Sequence, residues 1–212
     1  MAKSNYISMP VIRRLPRYYR HLTTLKNRGI NRVSSKELSE NMGLTASQIR
    51  QDLNCFGGFG QQGYGYMVDQ LRTEIGNIMG IQNSYKAIIL GAGNLGQALA
   101  NYASFERSGF ILKSLFDVNP RLEGVTIRGI PVRMVDELED FLKNNDIEIA
   151  ALTLPKSKAI EVADILVDNG VKGIWNFAHT DLSLPKDVVV ENVHLSDTLM
   201  KLPYNLCQQD KE

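Results

Sequence analysis

"KAIILGAGNLGQALA", Lys86 to Ala100, decides the fold, because an apolar run, a turn of spaced glycines and a helix-forming run follow one another without interruption. Each glycine has a separate task. Gly91 permits a tight turn after a strand, Gly93 lets the backbone approach a pyrophosphate, and Gly96 allows the helix to pack against the strand with its N-terminus facing the anion. A GxGxxG pattern alone is a weak signal. Here a second strand, "FILKSLFDV", ends near Asp117, about 20 residues beyond the last glycine, where a carboxylate accepts hydrogen bonds from the ribose hydroxyls of a dinucleotide. That carboxylate repels a 2′-phosphate, so NAD is favoured over NADP, although Arg121 lies close by in sequence.

Reading outward toward the C-terminus, helical "VDELEDFLKNN", strand-like "IEIAALTLP", helical "KAIEVADILVDNG" and the strands "KGIWNFA" and "DVVVENV" alternate. The pattern predicts a Rossmann-type, doubly wound parallel sheet over residues 83–193, within an α/β chain. Such sheets bind ligands outside the carboxyl ends of their strands. Candidate coenzyme contacts are therefore Gly91, Ala92, Gly93, Asn94, Leu95 and Gly96 in the turn, and Asp117 and Val118 at the second strand end. Thr153 and Pro155, with Asn176, Phe177 and Ala178, extend the same edge.

The residues ahead of this unit differ in charge. Residues 1–84 hold 11 Lys and Arg against 5 Asp and Glu, and residues 85–212 hold 13 against 18. A basic lobe is the footprint of a nucleic-acid-binding face, and it equally suits an acidic protein partner. "VIRRLPRYYRHLTTLKNRG" places Ile12, Leu15, Tyr19, Leu22 and Leu25 at helical spacing, with Pro16 expected to kink or start the helix and Gly29 to stop it. In "VSSKELSENMG", Ser34 and Glu37 fit a capping box and Gly43 a left-handed stop. In "LTASQIRQDLNCFG", Thr45 and Gln48 repeat the capping spacing, and Ala46, Ile49, Leu53 and Phe56 form an apolar stripe. Two short capped helices about a tight turn are the pattern of a helix-turn-helix.

The second helix would then present Ser47, Arg50, Gln51 and Asn54 to base edges, with Asp52 its only acid. Arginine suits guanine, and glutamine or asparagine suits adenine. The glycine-rich "FGGFGQQGYGYMV" suits a hairpin anchored by Phe56, Phe59, Tyr64 and Tyr66, the wing of a winged-helix domain over residues 1–82. Its tip carries Gln61 and Gln62, which can approach a sugar-phosphate backbone closely. Arg14, Ser35, Lys36, Thr45, Gln48 and Tyr64 complete the candidate DNA contacts. A last helix follows, with Val68, Leu71, Ile75 and Ile78 on one face and Gly80 ending it, and "IQNS" is the linker.

No run approaches the roughly 18 apolar residues of a membrane span, and "MAKSNYISMPVIRRLP" lacks the apolar core of a signal peptide, so a cytoplasmic location is expected. Cys55, Cys207 and the three histidines show no metal-ligand spacing, and no metal site is expected. Catalysis is not expected either: fewer than 20 residues follow Val193, too few for a substrate domain, and His179 stands without a carboxylate and arginine arranged for a substrate. A chain that binds both DNA and NAD(H) without turnover is most simply a sensor.

"RLPRYYR", "VSSKELSENMGLTASQIRQDL", "FGGFGQQGYGY", "GAGNLGQALANY", "FDVNP" and "GIWNFA", in this order over nearly the full length, resemble the Rex family of redox-sensing transcriptional repressors. The resemblance implies a cytoplasmic homodimer on an inverted-repeat operator of double-stranded DNA, with a C-terminal helix (residues 194–212) exchanged between subunits. It also implies that NAD+ favours DNA binding and that NADH releases the operator. Arg20 and Tyr102 match parts of the family's switch, with Tyr102 also beside the coenzyme, and His194 falls where the family carries an Asp. Gln51 replaces a common Lys, His179 a common Pro, and Pro203 is expected to shorten or kink the last helix.

Overall fold

A computed structural model describes residues 7–56, 60–61, 64–102 and 104–209. The chain divides into two compact units, Met1–Gln82 and Asn83–Glu212.

In the first unit α1 (Met9–Asn27) carries Pro10 in its first turn, where the missing N–H costs nothing. It runs unbroken through Pro16, which is exposed, so the carbonyl freed by the missing hydrogen bond can face water. The buried stripe is Val11, Leu15, Tyr18, Leu22 and Leu25; Ile12 and Tyr19, expected in that stripe, sit one residue off it and are half-buried. After β1 (Arg32–Val33), α2 (Ser35–Met42) is held by a complete capping box between Ser34 and Glu37 and ends on Gly43 at φ +58°. The Ser34 backbone and side chain hold the Glu37 carboxyl below its ordinary value.

Next comes α3 (Ala46–Asn54), capped by Thr45, whose hydroxyl accepts from Gln48 N; the reciprocal half of a box is absent, because the Gln48 side chain turns to Asp52. β2 (Gly60–Gln61) and β3 (Gly65–Met67) form an antiparallel pair, and β1, which the hairpin signal did not reveal, joins β3 in the order β1-β3-β2. α4 (Val68–Ile78) closes the unit, burying Val68, Leu71 and Ile75 in the same core as Leu15, Leu38, Ile49 and Leu53. Each such side chain contributes about 1.5–3 kcal/mol on burial.

The second unit begins with β4 (Tyr85–Leu90), then α5 (Asn94–Asn101), α6 (Ser104–Arg107) and β5 (Phe110–Asp117). β6 (Thr126–Ile127) and β7 (Ile130–Met134) follow, then α7 (Leu138–Asn144), β8 (Ile149–Leu152), α8 (Lys156–Asp168), β9 (Gly173–Asn176), β10 (Val189–Asn192) and α9 (Leu195–Gln209). The seven strands lie in the order β10-β9-β8-β4-β5-β7-β6, all pairs parallel except β6 with β7. The hairpin strands β6 and β7 fall in a stretch where no alternation was read, and no α-helix links β5 to β7.

One face of the sheet, through Ile88, Leu90, Ala150, Leu152 and Ile174, packs on Leu138, Leu142, Ala159, Val162 and Leu166 of α7 and α8. The other face, through Ile89, Leu115, Val132 and Ala151, packs on Leu99 and Ala100 of α5. Strand order reverses between β4 and β8, and that switch point fixes the crevice where a ligand fits. α9 continues through Pro203 without shortening, again with the proline exposed. No helix among the described residues is long and apolar enough to cross a membrane.

Candidate functional site

At the switch point the turn after β4 is a steric necessity of the protein at two glycines and not at the third. Gly91 has φ +99°, and a Cβ there would lie 2.7 Å from the Thr153 carbonyl oxygen. A Cβ on Gly96 would lie 1.8 Å from the Gly91 carbonyl oxygen, so helix and turn touch backbone to backbone. A Cβ on Gly93 meets nothing within 4 Å among the described residues, so their packing does not require a glycine there. The space it leaves fits a close-lying ligand. No side chain caps α5, whose first N–H groups lack helical partners and favour an anion, and Gly93 and Asn94 are exposed beside them.

Asp117 stands at the end of β5. Its Oδ2 accepts from Ala92 N at 2.7 Å and its Oδ1 from Asn119 N at 2.8 Å, so the carboxylate is oriented against the turn with a lone pair on each oxygen still free. Val118 beside it is 71 % exposed. The Thr153 hydroxyl is engaged by the carbonyls of Leu90 (3.0 Å) and Gly91 (2.7 Å) and ties the end of β8 to the turn, while Pro155 is exposed as the N-cap of α8.

Two expected lining residues are placed differently. Asn176 is fully buried: its Nδ2 donates to Thr180 O and Asn192 Oδ1, and its Oδ1 accepts from Ala178 N. Asn176 and the buried Ala178 therefore brace the strand-end loop from beneath, because the amide is needed to satisfy loop backbone. Phe177 packs edge-on to Trp175, with ring centroids 4.5 Å apart. Tyr102, at the C-cap of α5, is exposed and edge-on to Phe105. The His194 ring stacks on His179 at a centroid distance of 6.1 Å, just before α9. Among the described residues no group of three or more His, Cys, Asp or Glu could hold a metal.

In the first unit α3 presents Ser47, Arg50, Gln51 and Asn54 to solvent, and Arg50 Nη1 donates to Ser35 Oγ at 3.2 Å, near the exposed Lys36. Thr45 is exposed with its hydroxyl used as a cap, and Arg20 is exposed on α1. Tyr64 is exposed, with the Arg32 guanidinium 5.9 Å from its ring centroid. Gln61 lies in β2, whereas Gln62, Gly57, Gly58, Phe59 and Gly63 of the expected wing lie outside the described residues.

Arg14 and Gln48, expected among the DNA contacts, both hydrogen-bond Asp52. Asp52 is 1 % exposed and accepts from Arg14 Nε (2.6 Å) and Nη2 (2.8 Å), from Tyr18 OH (2.9 Å) and from Gln48 Nε2 (2.8 Å). Burial alone would raise the Asp52 carboxyl, but the hydrogen bonds from Arg14, Gln48 and Tyr18, with the Arg14 charge, hold it below its ordinary value. Burial and the same carboxylate push the Tyr18 phenol up. The single acid of α3 was the sequence signal for this cluster; its partners lie 34 and 38 residues away on α1, beyond the reach of spacing rules.

A family model described as "Putative DNA-binding protein N-terminus" matches residues 6–54, and one described as "CoA binding domain" matches residues 82–180. A redox-sensing transcriptional repressor Rex of Clostridium perfringens (strain SM101 / Type A) is 57 % identical over 210 residues, covering 99 % of this chain and 99 % of its own. One of Clostridioides difficile (strain 630) is 58 % identical over 204 residues, covering 96 % and 97 %. Among solved structures, RSP, a Rex-family repressor, in complex with beta-NAD+ and operator DNA aligns with TM-score 0.88 at 56 % identity, covering 96 % of this chain and 94 % of that one. RSP in complex with beta-NADH aligns with TM-score 0.88 at 53 % identity, covering 97 % and 96 %.

A capped helix-turn-helix joined to a dinucleotide fold thus defines a transcriptional regulator rather than an enzyme. The chain belongs to the Rex family of redox-sensing transcriptional repressors.

Proposed function

We propose that this chain binds an inverted-repeat operator and releases it when NADH replaces NAD+ at the turn after β4, reporting the coenzyme ratio. The carrying observation is Gly93, where an added Cβ would meet no atom of the described residues within 4 Å, at the N-terminus of α5, which no described side chain caps. Gly91 through Gly96 hold the pyrophosphate by backbone N–H groups, and Asp117 accepts from the adenosine ribose and disfavours a 2′-phosphate. Thr153 sets the turn, and Tyr102, Val118, Pro155 and Phe177 border the remainder. The coenzyme contributes a redox-dependent charge, positive on the oxidised nicotinamide and absent on the reduced one. It shifts the repressor only by its differential affinity for the two states.

On the DNA side Ser47, Arg50, Gln51 and Asn54 face the major groove, with Ser35, Lys36 and the wing on the backbone. Arg20, Tyr102 and His194 belong to the switch by family position; His194, unlike a carboxylate, pairs with arginine poorly whether neutral or protonated. This reading places the protein in the bacterial cytoplasm, with the genome and the coenzyme pool.

The same reading makes the protein a homodimer, which two apolar surfaces support. The sheet carries an apolar trough of about 350 Å³ that crosses β5, β4, β8, β9 and β10 and is lined by Phe105, Phe110, Leu112, Trp175 and Val189. α9 leaves Leu195, Leu199, Met200, Leu202, Tyr204 and Leu206 more than half exposed. A second copy's α9 supplies the apolar cover the trough lacks, and the symmetry of two subunits matches an inverted repeat.

The test is operator retention in a gel as the NADH/NAD+ ratio rises at fixed total coenzyme, with CoA as a competitor. NADH is expected to release the operator at concentrations where NAD+ does not. Equal effects of the two, or displacement of NADH by CoA at lower concentration, would refute the redox-sensing reading.

A further inference from the structure

The Asp52 cluster does more than join two helices. An ion pair fastening α3 to α1 needs Arg14 and Asp52, and Tyr18 completes it; Gln48 is not required. Yet Gln48 Nε2 donates to Asp52 Oδ1 at 2.8 Å. Gln48 is in the first turn of α3, directly after Thr45, Ala46 and Ser47, where a recognition helix meets base edges. Its neighbours Ser47 and Gln51 are exposed, and Gln48 itself is half-buried, between that face and the core.

An ionised carboxylate only accepts hydrogen bonds, so the nitrogen end of the Gln48 amide must be the end that faces Asp52. One N–H is thereby engaged. One N–H and Oε1 remain, the donor and acceptor that the N7 and N6 groups of adenine take together. Guanine shows two acceptors, N7 and O6, on the same edge and would need two donors. A free glutamine can turn its amide to either edge; one tethered at Nε2 cannot offer both N–H groups to guanine.

We propose that Asp52 is a positioning residue for base reading, fixing the Gln48 carboxamide so that its remaining N–H and Oε1 recognise an adenine edge and reject guanine. The proposal rests on the operator-binding reading above.

The test selects inverted-repeat duplexes from a randomised pool with the full-length protein, its Gln48→Ala and Asp52→Asn variants and the double variant. Side-chain 15N relaxation is measured on the DNA-free wild type. The wild type is expected to fix an A·T pair in each half-site that both variants leave degenerate, with discrimination against G·C falling about tenfold or more. Other positions should keep their preference, and the double variant should relax no further than either single one. The Gln48 Nε2 group should be as rigid as the backbone. A Gln48→Ala protein that selects the wild-type sequence, or a freely rotating Gln48 amide, overturns the proposal, the second even if Asp52→Asn does not fold. An Asp52→Asn protein that weakens on all duplexes equally while Gln48→Ala relaxes one position also overturns it, leaving Asp52 a structural role. A wild type that selects no sequence refutes the operator-binding reading itself.

Discussion

At the residue scale, glycines of one motif separate by what surrounds them. Gly93→Ala, at a φ of −74° and with open space around it, should leave the melting temperature unchanged while weakening NADH binding about tenfold or more, read by fluorescence titration. Gly96→Ala drives a Cβ to 1.8 Å from a backbone oxygen, so it should lower both stability and coenzyme affinity. Asp52 gives a pH signature. Its folded-state value is depressed, so its contribution is complete above the ordinary aspartate value of about 4 and is lost as pH falls through the lower folded value. Acid unfolding of the wild type should therefore be steeper than that of Asp52→Asn below that point, followed by circular dichroism. The tight turn at Gly91 and the close helix approach at Gly96 were legible because the spacing after a strand encodes both within six residues. The bond between Arg14 and Asp52 was not, because packing brings the two together across 38 residues.

At the element scale, capping was readable and prolines misled. Ser34 and Glu37 form the box their spacing predicted, and Ser34→Ala should cost about 1 kcal/mol in denaturant unfolding of the first unit. Pro16 and Pro203 interrupt neither helix, and each is exposed, where a carbonyl left without its helical donor can be solvated. β1 was missed because a strand of two residues carries no periodicity, and it exists only through pairing with β3. That pairing depends on Gly65, with φ +71° and a Cβ position 2.6 Å from the Val33 carbonyl oxygen. Gly65→Ala should retain helical circular dichroism while operator affinity falls, by gel shift. β6 and β7 lay in a stretch whose signal is turn chemistry and not alternation, and the chain crosses from β5 to β7 without an α-helix.

At the scale of the whole molecule, the apolar trough and the exposed apolar residues of α9 are expected to meet between two copies of the chain. Leu199→Asp with Leu202→Asp places charges on a helix that would otherwise be covered, and the double variant should sediment as a monomer while the nucleotide unit stays folded. It should also lose preference for an inverted repeat over a single half-site.

The sequence by itself determined the alternating strands and helices around the glycine turn, the turn itself, the capped helix-turn-helix and the basic first unit, because each is written in composition or in residues within one or two turns of each other. Only the tertiary structure decided that Asn176 and Ala178 support the site from beneath, that Asp52 engages Arg14, Tyr18 and Gln48, and that residues of β4, β5, β8, β9 and β10 share one apolar trough. Those outcomes depend on which distant side chains share one buried space, where every polar group must find a partner and every apolar face a cover.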